Sequence, residues 1–115
     1  MNEIDYEPLY VLLEELSGLL GDVFLSGCAS VGETTVGDIL RLRSLCEDYG
    51  LDSAAEKLGE LHELIEQRRH SGDRRRDGDI CAALGWLDGY IRAATRQLEK
   101  DMAIRELMTN TGGAQ

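Results

Sequence analysis

Leu9, Leu12, Leu13, Leu16, Leu19, Leu20, Val23 and Phe24 recur at intervals of three and four. That spacing gathers side chains on one face of an α-helix and scatters them over both faces of a strand. It predicts a first helix over about residues 8–26. Pro8 suits the first turn, where its missing N–H has no intrahelical acceptor, and Gly27 tolerates left-handed geometry at the exit. Glu3, Asp5 and Glu7 lie where the helix dipole is positive.

The same period returns three times. Val36, Ile39, Leu40, Leu42, Leu45, Cys46 and Tyr49 mark a second helix, capped by Thr34 or Thr35 and ended by Gly50. Ser53 and Glu56 are three apart and read as a capping box opening a third helix, whose Ala54, Leu58, Leu61 and Ile65 face the second. So short a link calls for an antiparallel hairpin. His70 to Gly78 is too polar and Gly-interrupted to continue the helix and reads as a hinge. A fourth helix is expected from Asp79 to Met108, with Ile80, Leu84, Leu87, Ile91, Ala94, Leu98 and Met102 on one seam. Its length of roughly 45 Å exceeds what helices of about 17 residues can cover. Part of it must project, fray or meet another chain.

The expectation is an all-α fold: one four-helix bundle with a long C-terminal helix, over residues 1–108, and a disordered tail at 109–115. A single Pro, Phe and Trp among many Leu and Ala argues against a sheet. A chain of 115 residues suits one core, which remains marginal if divided.

Charge is unevenly spread. Residues 1–66 hold 15 acids and three bases (Arg41, Arg43, Lys57), a net of -12, and residues 67–115 carry +2, which together give -10. Direct nucleic-acid or anionic-membrane binding is disfavoured, and a protein partner with a basic surface is favoured. Cys28, Cys46 and Cys81 form neither a disulfide framework nor a zinc spacing, which points to a reducing, cytoplasmic location. No apolar run approaches the length of a membrane span.

Catalytic and metal chemistry lack their residues. His62 and Glu66 stand at i and i+4, but two ligands are not a site, and the Glu-x-x-His of di-iron bundles is absent. Ser30 to Thr35 faintly suggests a phosphate loop, yet Glu33 stands where lysine is needed. Neither cofactor nor metal is expected, and a non-enzymatic protein is.

The candidate protein-binding residues are Arg68, Arg69, Arg74, Arg75 and Arg76, whose guanidinium forks suit carboxylate or phosphate, together with Trp86 and Tyr90, one helical turn apart. Asp73, Asp77 and Asp79 nearly balance the arginines. Gly85 and Gly89 form a small-x-x-x-small pair whose helix cost is compensated if another helix approaches closely, within the bundle or across a dimer seam.

From Leu16 to Arg69 the pattern Leu19-Leu20-x-x-Val23-x-Leu25-x-Gly27, then Val31, Val36, Ile39, Leu42 and Cys46, then Gly50-Leu51-x-x-Ala54-Ala55-x-x-Leu58 resembles the helical region that accompanies bacterial SWIM zinc-finger proteins. The zinc-binding cysteines and histidine of that family are absent here, so no functional residue carries over. The resemblance implies an accessory or adaptor module. The expected function is a helical protein-interaction module, adaptor or regulatory subunit, with self-association through the fourth helix as one mode. The alternative is a small acidic inhibitor that imitates nucleic acid and blocks a basic enzyme, testable by salt-sensitive binding and competition by DNA or RNA.

Overall fold

The computed structural model describes residues 6–27, 30–71 and 74–113, with side chains to Met108. Among them lie four helices and no strand: α1 Glu7–Ser26, α2 Glu33–Asp48, α3 Asp52–His70 and α4 Asp77–Gly113. The expected all-α bundle with a long last helix is the observed fold. α1 packs on α2 and α4, and α3 on α2 and α4, while among the described residues the backbones of the diagonal pairs α1/α3 and α2/α4 do not approach closely. Short connections between successive helices give this ring of neighbours.

The interior is one apolar cluster. Leu16 of α1, Ile39 and Cys46 of α2, Leu58, Leu61 and Ile65 of α3, and Ile80 and Leu87 of α4 are fully enclosed, and Val31 of the α1–α2 connection is buried with them. No polar or charged side chain is buried among the described residues. Such a core is held by area removed from water and by dispersion, with no internal polar network to fix its register.

Helix ends follow backbone geometry more closely than the side-chain signals suggested. Pro8 sits in the first turn of α1, and at its exit Gly27 has φ +80° and donates its N–H to the Val23 carbonyl at 3.0 Å. α2 starts at Glu33 with Gly32 as N-cap, and neither Thr34 nor Thr35 makes the expected capping bond. At the other end Gly50 has φ +76°. Its N–H reaches the Glu47 carbonyl at 3.1 Å, and the Leu51 N–H reaches Cys46 at 2.7 Å. These two bonds are a Schellman closure, which glycine suits because it has no Cβ to clash. Leu51 is thereby already the N-cap of α3, with its carbonyl accepting from Ala55 at 3.0 Å. The expected Ser53–Glu56 capping box is corrected accordingly: Ser53 falls inside the first turn, and α3 has no side-chain cap.

α4 begins two residues before the expected Asp79 and is assigned helical through Gly113, past the expected end at Met108. Residues 114 and 115 of the expected tail lie outside the described residues. At about 1.5 Å per residue, the 20 residues of α1 span roughly 30 Å and the 37 of α4 roughly 55 Å. The molecule measures 66 Å along its axis and 21 × 20 Å across. Leu98 is the last α4 residue in the core, and Met102, assigned by its spacing to the core seam, is 40% exposed. Phe24, also expected on a core face, is 58% exposed: Val23 holds the inward position next to it.

The fate of Gly85 and Gly89 is informative. A Cβ built on either meets no atom within 4 Å, so no helix of the bundle approaches them. Gly85→Ala and Gly89→Ala should each raise monomer stability by about 0.5–1 kcal/mol, because alanine restricts the unfolded chain and favours helix. Urea unfolding checks this, and a loss of stability would show a close contact at that position.

Candidate interaction surface

The sequence-predicted arginines separate into two groups. Arg68 lies near the end of α3, its side chain only 10% exposed, and its Nε–H donates to Oδ1 of Asp77 at 2.9 Å. Asp77 is the first residue of α4, so this bond closes the corner between two residues nine positions apart in sequence. Arg69 donates to Glu66 Oε1 at 2.9 Å, and His70 Nε2 lies 3.1 Å from Oε2 of the same carboxylate. The His70 contact, followed by Arg69, holds the Glu66 carboxyl below its ordinary range. Glu66 is thus engaged toward the end of its own helix and not with His62. Arg74, Arg75 and Arg76 stand exposed on the α3–α4 connection, and Asp73 lies outside the described residues.

Trp86 and Tyr90 stack with centroids 5.2 Å apart and planes 11° from parallel. Their spacing of four places both rings on one face of α4. Lys57 of α3, ion-paired with Glu60 at 3.0 Å, sets its ammonium 5.4 Å from the Trp86 ring. Trp86 remains 41% exposed, and a shallow recess of about 270 Å³ opens beside it, bordered by Ser53, Glu56 and Glu60. Tyr90 is half-buried, and burial, followed by the nearby Cys46 and Asp52, pushes its hydroxyl pKa up.

Cys46 is enclosed, and burial, with Glu47 adding to it, raises its thiol to about 11. A thiol held protonated is a packing group, as the sequence suggested. Cys81 is exposed: it follows Ile80, which takes the inward position. Cys28 lies outside the described residues.

A larger groove of about 680 Å³ runs between α1 and α4, bordered by Tyr10, Glu14 and Ser17 on one side and by Asp88, Arg92 and Arg96 on the other. Arg92 and Asp88 pair with each other at 3.0 Å. No group of three or more His, Cys, Asp or Glu is arranged to hold a metal ion among the described residues, and no helix there is long and apolar enough to cross a membrane.

Sequence reasoning missed the most conspicuous surface. Beyond Leu98, α4 carries Met102, Ile104, Leu107 and Met108 at 40%, 47%, 66% and 70% exposure. The signal was present, since Ile104, Leu107 and Met108 stand at i, i+3 and i+4, but they lie off the core seam and were not assigned a face. Beside them the guanidinium of Arg105 lies 5.8 Å from the Tyr6 ring at the start of α1.

Comparison with protein-family models, curated proteins and solved structures found no match to this chain.

Proposed function

We propose that the protein is a non-enzymatic helical interaction module in which α4 is the docking element. The observation that carries this reading is the projection of α4 beyond its own core with large apolar side chains in water. Four such residues within seven positions are disfavoured by hydration unless something covers them, and three of them, Ile104, Leu107 and Met108, have the i, i+3, i+4 spacing that helix-in-groove and helix-pairing contacts use. The Trp86–Tyr90 stack adds aromatic anchors farther up the same helix. The accessory role implied by the resemblance of residues 16–69 to the SWIM-associated region agrees with it.

The acidic body supplies the competing reading of a nucleic-acid mimic, and the two differ in salt dependence. Affinity capture with the tagged chain, at low and at moderate salt, is expected to retain partners in both and to lose them on Ile104→Glu with Leu107→Glu. Capture that collapses with salt, is displaced by DNA and ignores those substitutions would instead favour the mimic.

A further inference from the structure

We propose that the occupant of this face is a second copy of the chain, the two α4 helices running antiparallel so that each projecting end lies along the other copy's Gly85–Gln97 stretch. This rests on the reading of α4 as the docking element and names its partner.

Three observations converge. The first is a continuous outward face. At 100° per residue, Trp86, Tyr90, Ala93, Gln97, Lys100, Ile104 and Leu107 fall on one stripe with alternating spacings of four and three, the pattern of two-helix seams. All are exposed except the half-buried Tyr90, so the stripe is separate from the seam that ends at Leu98.

The second is complementarity of size and length. The projecting part, residues 99–113, is 15 residues long, and the core-backed part before it, from Ile80 to Leu98, is 19, long enough to receive it. A two-fold axis between residues 98 and 99 sets each residue opposite the one whose number completes 197. Leu107 then faces Tyr90, Ile104 faces Ala93 and Met108 faces Gly89, so the large side chains of one end meet small or flat ones on the other. Open space at Gly85 and Gly89 leaves room for that approach.

The third is charge. Residues 84–113, the stretch that would pair, hold four bases (Arg92, Arg96, Lys100, Arg105) and four acids (Asp88, Glu99, Asp101, Glu106), a net of zero against -12 for residues 1–66. A basic partner is drawn to the body, whereas a second copy meets least repulsion here. In this register Arg96 faces Asp101 of the other copy, and Arg96 has no ion-pair partner among the described residues. About a dozen face residues per copy is fewer than the roughly 20–30 of a standard interface, so the pairing belongs to the weaker, concentration-dependent class.

Sedimentation equilibrium of the full chain across a broad concentration range should show 12.7 kDa monomers giving way to dimers, with Leu107→Glu shifting the midpoint at least tenfold while helicity and unfolding temperature hold. The register is read by disulfide trapping in a Cys28→Ser, Cys81→Ser background. An Ala93→Cys chain mixed with an Ile104→Cys chain should cross-link faster than either chain with itself. A monomer at every concentration, a dimer indifferent to Leu107→Glu, or preferential self-cross-linking of each variant overturns the proposal. If the chain is monomeric yet Ile104→Glu with Leu107→Glu abolishes capture of a different protein, only the second-copy assignment falls. If neither association nor capture responds, the docking reading falls with it.

Discussion

Leu61→Ala is expected to destabilise the protein by about 3–4 kcal/mol, within the range measured for fully enclosed leucines. Leu61 has no exposed surface and lies in the middle of α3, which packs on both α2 and α4. Truncation removes three carbon atoms from contact with two neighbouring helices and leaves a cavity that straight helices fill poorly. Against a typical total of roughly 5–15 kcal/mol, the loss is a large fraction. For a chain of this length it lowers the unfolding temperature by roughly 10–20 °C. Thermal circular dichroism and urea titration give the number. The control is Leu107→Ala, at 66% exposure, which should change monomer stability by less than about 0.5 kcal/mol. A Leu61→Ala loss below about 1 kcal/mol would show that the interior is not packed as described.

Arg68→Ala should cost about 1–2 kcal/mol, more than either Arg74→Ala or Arg76→Ala, which should be close to neutral. The guanidinium of Arg68 is largely covered, and its bond to Asp77 joins the end of α3 to the start of α4. Removing it leaves a carboxylate that is 35% exposed, so water compensates in part and the loss stays below that of breaking a fully buried pair. Asp77→Asn should recover less than half of the native stability contribution, because the amide accepts a weaker bond. Equal effects at positions 68, 74 and 76, measured by urea unfolding, would mean that the corner is not clamped.

These two residues mark what could and could not be read from the chain. Leu61 was assigned to the interior by its place between Leu58 and Ile65, since a periodic apolar pattern has only one way to be satisfied in a bundle. Arg68 was grouped with its neighbours as a docking residue because sequence distance says nothing of which arginine folds back on an aspartate nine positions away. The capping signals at Thr34, Thr35 and Ser53 fail because Gly32 is already the N-cap of α2 and the closure at Gly50 makes Leu51 the N-cap of α3, which places all three residues inside a helix. On α4 the stacked pair was legible from the spacing of Trp86 and Tyr90, but Lys57 above the Trp86 ring was not, because it arrives from another helix. The projecting apolar residues were legible as a pattern; their exposure follows only from where α1 and α3 stop.

The three-residue link through Gly50 has a consequence for how the chain reaches its fold. Closing so short a loop costs little conformational entropy, so the hairpin of α2 and α3 is the natural place for order to begin. Joining α1 to α4 is the one step that unites distant parts of the chain, with Tyr6 and Arg105 meeting across almost its whole length. Hydrogen exchange should accordingly find the amides of α1 opening before those of α3, with the first helix behaving as the removable stave of the barrel.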